Sequence, residues 1–241
     1  MRIQQLTYRY PKAERPLFAD LNWQLAEGAV NVLIGPNGAG KTTLLDLIAG
    51  TIRLRQPSIQ DISPRELVYQ LQGVPILNTI TGRQYVALLL GADGRRAPSD
   101  PAHAFTELTP DEKEKLADLW KREYGQMSPG ERRWLMIQCF VQYDRRLYLF
   151  DEPTAGVDRR HARLIAERIN YLAEVKQRTV IYTTHLAADL AAFAAPQLFL
   201  LENGDLAACR SRLEDGGPRT FLHDFFEVQP MAGHQPTRRH S

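Results

Sequence analysis

The sequence predicts an α/β fold with a partly parallel central sheet, on the basis of two observations. Strand-like apolar runs alternate with helical patterns along most of the 241 residues, as they do in βαβ units. The N-terminal stretch differs, because residues 3–10 and 21–25 alternate apolar and polar side chains in the manner of half-buried strands. We therefore expect a mixed sheet core with antiparallel N-terminal strands.

Three strand-to-helix units form the predicted parallel core. In each unit a short apolar run enters a polar or glycine-rich turn, and a helical pattern follows. Parallel strands need crossovers of this kind. The strands are expected at residues 30–34, 147–150 and 179–183, and the helices that follow them at 42–49, 159–173 and 186–194.

The segment between the first two units is mainly helical and has no convincing strand from residue 80 to residue 142. It predicts a helical subdomain, at about residues 76–142, inserted between two halves of the core. The C-terminal residues 230–241 carry Pro, Gly, His and Arg without periodicity, which is typical of disorder. We therefore expect one domain over residues 1–229 followed by a disordered tail.

The composition excludes several classes of protein. Hydrophobic residues make up 44% of the chain, charged residues 24%, and the formal net charge is +2. This balance gives no electrostatic argument for a nucleic-acid partner. No apolar run approaches the ~18–20 residues that span a bilayer. Cys139 and Cys209 lack metal-ligand spacing and are expected to be reduced thiols of a cytosolic protein.

A phosphate-binding loop is predicted at residues 35–43. The run Gly-Pro-Asn-Gly-Ala-Gly-Lys-Thr-Thr fits the P-loop pattern of Gly, four residues, Gly-Lys and then Ser or Thr, and it lies between a strand and a helix. Its glycines let successive N–H groups turn inward toward phosphate oxygens. Lys41 can reach the β- and γ-phosphates, and the Thr42 hydroxyl can bind Mg²⁺. The predicted nucleotide-binding residues here are Gly35, Pro36, Asn37, Gly38, Ala39, Gly40, Lys41, Thr42 and Thr43.

Two acidic residues, Asp151 and Glu152, follow the next buried strand. Nucleotide hydrolysis needs an acid at the end of such a strand, because that carboxylate holds Mg²⁺ through water. We predict that Asp151 is this metal-side carboxylate and that Glu152 is the general base for the attacking water. The alternative is a charged turn that only closes the strand.

In combination, these motifs resemble those of the ATP-binding cassette (ABC) ATPases. Residues 35–45 and 151–158 match that family's P-loop wording and its Walker B and D-loop run, and the resemblance extends from about Leu6 to Leu206. It implies that His185 is the switch histidine that senses the γ-phosphate and acts in catalysis. It also implies that Tyr10 stacks on adenine, with Tyr8 as the rival.

The signature loop departs from the family pattern. The usual run is Leu-Ser-Gly-Gly-Gln, whereas residues 127–131 are Met-Ser-Pro-Gly-Glu. The resemblance implies that Ser128, Gly130 and Glu131 cap the γ-phosphate bound by another subunit. Taken locally, Ser128 and Glu131 form a capping box with Pro129 at the first helical position. Both roles suit a helix N-terminus.

Two further residues come from the resemblance. Asp158 couples two subunits in the family, and locally it could cap the helix that follows. Gln72 is the candidate for the glutamine that touches both Mg²⁺ and the partner protein, with Gln70 as its rival. The segment before Gln72 is short for the family, as if strands around residues 53–61 were trimmed.

The resemblance implies a function as an ATP-binding and hydrolysing subunit that powers a membrane transporter. Two copies, or one copy and a second ABC subunit, would bind two ATP molecules between them in a head-to-tail dimer. A separate membrane-spanning subunit would dock its coupling helix in a groove around Gln72 and residues 76–124. The chain would then be cytoplasmic and peripheral on the inner face of the membrane.

Two alternatives to transport are a soluble ABC ATPase, of the cofactor-assembly, repair or translation type, and a P-loop kinase. The length of the chain disfavours the repair and translation types. Glu152, the signature loop and His185 disfavour the kinase. No nucleic-acid partner is expected.

Overall fold

The computed structural model describes residues 1–54, 58–71, 73, 75–96, 98–105, 107–193 and 195–208. Gln72, Cys209 and the predicted tail at 230–241 therefore lie outside the described residues. The strands are β1 (Arg2–Tyr8), β2 (Phe18–Gln24), β3 (Val30–Ile34), β4 (Ile59–Gln60), β5 (Leu67–Gln70), β6 (Leu147–Asp151), β7 (Thr179–Thr184), β8 (Gln197–Glu202) and β9 (Asp205–Ala208). The α-helices are α1 (Lys41–Ala49), α2 (Gly82–Ala92), α3 (Pro110–Lys121), α4 (Pro129–Val141), α5 (Arg159–Glu174) and α6 (Ala187–Leu190).

The described strands form two sheets. The larger has the order β5-β6-β7-β3-β8-β9, in which all neighbours are parallel except β8 and β9. The smaller consists of β1 paired antiparallel with β2 and with β4. This arrangement confirms the predicted mixed sheet with antiparallel N-terminal strands.

The helices α2, α3 and α4 lie between β5 and β6 in the chain, which confirms the helical insertion; its boundaries at 76–142 stay a prediction. Each of these helices starts with a capping box, and the one at Ser128 and Glu131 is the one predicted above; the other two are at Thr81 and Gln84 and at Thr109 and Glu112. The region expected to have lost strands contains β4, which is only two residues long.

The core has a layer on each face of the larger sheet. In β6, Tyr148 and Phe150 pack into the layer on the side of α4 and α5. Leu147 and Leu149 pack into the opposite layer with Leu44 of α1. Because side chains alternate along a strand, the strand is buried on both faces, as expected for the centre of a parallel sheet.

Two predicted elements end earlier than expected. The strand predicted at 3–10 ends at Tyr8, because the Tyr10 carbonyl accepts the Ala13 N–H in a turn. The helix predicted at 186–194 ends at Leu190, where the Phe193 N–H bonds to the Leu190 carbonyl in a tighter turn. Two strands at the C-terminal side, β8 and β9, were not predicted.

Candidate active site

The predicted site residues meet at the carboxyl ends of three neighbouring strands. The P-loop follows β3, Asp151 ends β6, and His185 follows β7. These strands are adjacent in the order β6-β7-β3. In open α/β sheets the carboxyl edge is the usual place for a ligand.

Lys41 is buried in the P-loop and turns back into it. Gly40 precedes it with φ of 100° at the N-cap of α1, a conformation that favours glycine. The Lys41 ammonium donates to the Gly35 carbonyl at 2.8 Å and to the Pro36 carbonyl at 3.2 Å. Burial lowers the pKa of Lys41. The cation is therefore held inside the loop by acceptors that phosphate oxygens could replace.

The hydroxyl of Thr42 and the carboxylate of Asp151 converge at the start of α1. Thr42 Oγ1 donates to Asp151 Oδ2 at 2.7 Å, and Asp151 is only 1% exposed. Hydroxyl and carboxylate oxygens are the ligands that Mg²⁺ prefers, and Mg²⁺ is usually bound by only one or two protein side chains. The pair therefore fits the predicted metal site.

Glu152 leaves the sheet with φ of 45° and turns its side chain toward two other predicted residues. Its Oε1 lies 3.0 Å from His185 Nδ1 and 3.6 Å from Lys41 Nζ. The Glu152 side chain is 18% exposed. The structure thus brings the predicted base, the switch histidine and the P-loop lysine into one group.

Thr183 belongs to this group although the sequence analysis did not identify it. Its hydroxyl donates to Asp151 Oδ1 at 2.7 Å and accepts the Glu152 N–H at 2.9 Å. The next residue, Thr184, donates to Asp189 at 2.7 Å. A polar run at the end of an otherwise apolar strand was the only sequence signal for either threonine.

Tyr10 lies beside the P-loop, as the adenine contact should. Its hydroxyl contacts Thr43 Oγ1, and its ring packs edge-on against Tyr8 with centroids 5.2 Å apart. A cavity of about 620 Å³ opens beside both rings and is bounded by Arg53 on another side. Tyr10 is 44% exposed, so its ring is available for stacking.

The signature residues form a helix start that packs against α5. Ser128 and Glu131 bond to each other's backbone N–H groups, at 3.2 Å and 2.7 Å. Arg122 donates to both oxygens of Glu131 at 3.1 Å. Gly130 is buried, and a Cβ added there would lie 2.7–2.8 Å from the imidazole of His161. A side chain at position 130 therefore has no room.

His161 connects this helix start to Asp158, and the sequence analysis did not identify it. Its Nδ1 lies 2.6 Å from Asp158 Oδ2, and its Nε2 contacts the Lys115 ammonium. Asp158 also accepts the N–H groups of Arg160 and His161, so the predicted helix cap is confirmed. The hydrogen bond from His161 holds the pKa of Asp158 below its usual range.

The predicted residues therefore fall into two groups of contacts. The P-loop, Asp151, Glu152 and His185 form one, and the signature residues with Asp158 form the other. Gln72 is outside the described residues. Its rival Gln70 is fully buried in β5, and its Nε2 donates to the Leu71 carbonyl at 3.2 Å.

Comparison with known proteins gives consistent matches. The family model described as ABC transporter matches residues 18–155. The hemin import ATP-binding protein HmuV of Streptomyces coelicolor is 30% identical over 217 residues, covering 85% of this chain and 73% of the relative. Protein McbF of Escherichia coli is 29% identical over 209 residues, covering 84% and 83%.

A solved structure also matches over most of the chain. It is described as the dimeric structure of a post-hydrolysis state of an ATP-binding cassette bound to ADP and Pi. Its TM-score is 0.64 at 18% identity, over 85% of this chain and 95% of that one. At this identity the match supports the fold. Among the residues that our structure describes, no helix has both the length and the apolarity of a membrane span.

Proposed function

The chain belongs to the ABC transporter family of ATP-binding proteins, and from that premise we propose that it binds ATP with Mg²⁺ and powers a membrane-embedded transporter subunit by hydrolysis. It is an ATPase of that family. The observation that carries the residue assignments is the meeting of Lys41, Asp151 and Glu152 at one sheet edge. The HmuV relative is named as an import protein, which agrees with transport rather than a soluble role.

The residues divide the work of hydrolysis between them. The P-loop N–H groups and Lys41 bind the phosphates. Thr42 and Asp151 would hold Mg²⁺, with Gln72 as a further contact; the ion when bound neutralises charge on the β- and γ-phosphates. Glu152 accepts the proton of the attacking water, and His185, 3.0 Å away, orients the carboxylate and contacts the γ-phosphate.

The signature residues and Asp158 act on the nucleotide of a second copy or of a second ABC subunit. In a two-fold dimer, each copy presents the same surface to the other. The N-terminus of α4 offers N–H groups and a positive dipole end to a γ-phosphate. ATP binding would favour the closed dimer because it adds contacts that exist only there.

Glu152→Gln tests the proposed chemistry. The variant should bind ATP normally, lose at least about 100-fold in turnover because it lacks the base, and elute as a dimer in ATP during gel filtration. Glu167→Gln makes the same change on exposed α5 and should behave as wild type. Unchanged turnover in Glu152→Gln would contradict the assignment of the base.

A surface cavity supports docking of an apolar helix from the membrane subunit. It measures about 300 Å³ and lies among β5, α2 and α4. The apolar part of its lining includes Leu71, Ile76, Leu89, Tyr124, Met136 and Phe140, and Arg132 and Arg133 also line it. On this proposal the chain is cytoplasmic and sits at the inner membrane face through its partner.

Membrane fractionation with the co-expressed partner tests the docking. Leu71→Arg places a charge on the lining and should release the chain into the supernatant. Val175→Arg changes an apolar residue that is 64% exposed at the end of α5, and it should remain with membranes. A wild-type chain that never sediments with a partner present would contradict the transporter role.

A further inference from the structure

Thr183 is a fully buried residue whose hydroxyl touches both acidic residues of the site. It lies on β7 opposite Asp151 in the register with β6. The hydroxyl donates to Asp151 Oδ1 at 2.7 Å and accepts the Glu152 N–H at 2.9 Å. We propose that Thr183 is a positioning residue that fixes the metal-side carboxylate and the general base relative to each other. The inference rests on the roles proposed above for Asp151 and Glu152.

A hydroxyl suits this position because it donates and accepts at the same time. The ionised carboxylate of Asp151 can only accept, so the Thr183 proton points to it. A lone pair of Thr183 then faces the Glu152 N–H. With Oδ1 engaged in this way, Asp151 Oδ2 is the oxygen that faces the Thr42 hydroxyl, at 2.7 Å. Thr183 therefore fixes the orientation of the carboxylate, with one oxygen held by β7 and the other turned toward the P-loop.

The backbone of Glu152 gives Thr183 a second task. Its φ of 45° is a left-handed conformation that residues with a side chain seldom adopt, and surrounding contacts must hold it. The bond from the Glu152 N–H to Thr183 is such a contact, at the point where the chain leaves β6. That turn brings Glu152 Oε1 within 3.0 Å of His185 Nδ1.

The competing explanation is that Thr183 only fills space in a central strand. Threonine is β-branched and packs well there whatever its hydroxyl does. Thr183→Val separates the two explanations, since it keeps the branched shape and removes the hydroxyl. Thr183→Ser makes the opposite change, because it keeps the hydroxyl and removes the methyl group.

Steady-state ATPase assays on the full chain test the proposal. Thr183→Val should lower kcat by about tenfold or more and leave the KM for ATP within about twofold, as expected for loss of a hydrogen bond to a charged group. Thr183→Ser should recover most of the turnover. Thr179→Val is the matched control. Thr179 lies on the same strand about 13 Å from Thr183, and its hydroxyl accepts the Gly28 N–H at 3.2 Å instead of contacting the site. It should turn over as wild type.

Nucleotide binding gives a readout that does not depend on turnover. A fluorescent ATP analogue is titrated first in EDTA and then with increasing Mg²⁺. In EDTA, the affinity for the ATP analogue should be the same in wild type and Thr183→Val. The Mg²⁺ concentration that gives half of the Mg²⁺-dependent change in fluorescence should be about tenfold higher in Thr183→Val than in wild type. In Thr183→Ser it should return toward the wild-type value.

Two results would overturn the proposal. One is wild-type turnover and Mg²⁺ dependence in Thr183→Val. The other is an equal loss in Thr183→Ser with a matching fall in Tm, which would assign Thr183 to packing. Failure of the proposed function looks different, because Glu152→Gln would then remain active. If this inference alone fails, Glu152→Gln is inactive, while either Thr183→Val keeps wild-type turnover or Thr183→Ser loses as much turnover as Thr183→Val.

Discussion

The ion pair between Glu112 and Arg168 joins α3 of the helical insertion to α5 of the core. Arg168 Nε donates to Glu112 Oε1 at 3.1 Å, and Arg168 Nη2 contacts Oε2. The Glu112 side chain is 6% exposed and that of Arg168 is 10% exposed. Burial raises the pKa of Glu112, but hydrogen bonds from Arg168 and Thr109 outweigh it, so that pKa lies below its ordinary value.

Arg168→Met removes the guanidinium, keeps most of the apolar stem, and leaves the Glu112 carboxylate buried. Breaking a buried pair in this way costs about 3–5 kcal/mol. The Thr109 N–H still donates to Glu112 at 3.0 Å, so the lower end, about 3 kcal/mol, applies. For a chain of this length each kcal/mol lowers Tm by roughly 2–4 °C. We therefore expect Tm to fall by about 6–12 °C at pH 7.

The pH dependence of this loss follows from the lowered pKa of Glu112. The stabilisation is fully present above the unfolded-state value, near 4.5, and it is lost as the pH falls through the lower folded-state value. The difference in Tm between wild type and Arg168→Met should therefore be largest near neutral pH and shrink in acid. Scanning calorimetry at a series of pH values measures it.

Two further variants control the experiment. Glu112→Gln keeps the capping box with Thr109, since Gln serves at that position, and adding it to Arg168→Met should recover most of the lost Tm. Arg163→Met breaks an exposed pair with Glu167 and should cost less than about 1 kcal/mol. A fall of under about 2 °C in Arg168→Met, or no recovery in the double variant, would refute the reasoning.

Three shorter predictions concern the site. Gly130→Ala puts a Cβ 2.7–2.8 Å from the His161 ring and should lower ATPase turnover by about tenfold or more. The control Gly91→Ala meets no atom within 4 Å and should keep wild-type turnover. Equal turnover in the two variants would contradict the prediction. Tyr10→Ala should raise the KM for ATP by about tenfold with little change in kcat, from loss of about 1–3 kcal/mol of stacking, and Tyr10→Trp should retain a low KM. Pro129→Gly restores a free N–H at the first turn of α4 and should increase the ATP-dependent dimer fraction of a hydrolysis-deficient chain in gel filtration; a lower fraction would refute the role of that N–H.

The sequence predicted the placement of the motifs at strand ends, while the roles of their residues stay predictions. The P-loop follows a short, mainly apolar run next to a glycine-rich turn, a pattern that favours a buried strand, and Asp151 and Glu152 follow another. Because β3 and β6 are parallel in one sheet, their carboxyl ends meet at one edge. The residue spacing within each motif was therefore sufficient to place the P-loop and the two acidic residues at the same site. The mutual contacts of Glu152 and His185 follow from the same geometry.

Residues that belong to no recognisable motif, and whose roles depend on contacts with distant segments, were not predicted. Thr183 and His161 have no distinctive local pattern, and their roles depend on Asp151 and Gly130, which are about thirty residues distant in the chain. The strands β8 and β9 are a different case, since Asn203 and Gly204 give a strong hairpin signal between two apolar runs.

The unusual signature loop is coherent with its surroundings. Pro129 occupies the first helical position, where a backbone N–H has no partner within the helix. The missing N–H of proline therefore costs the fold nothing, and its fixed φ favours the helix start. Gly130 has a backbone N–H and no side chain. Because it has no side chain, His161 can pack closely against it. Because His161 also bonds to Asp158, a change at Gly130 would move both surfaces that are proposed to face the second copy. The glycine is therefore the residue of this loop least open to substitution, while the proline is the place where the loop can vary.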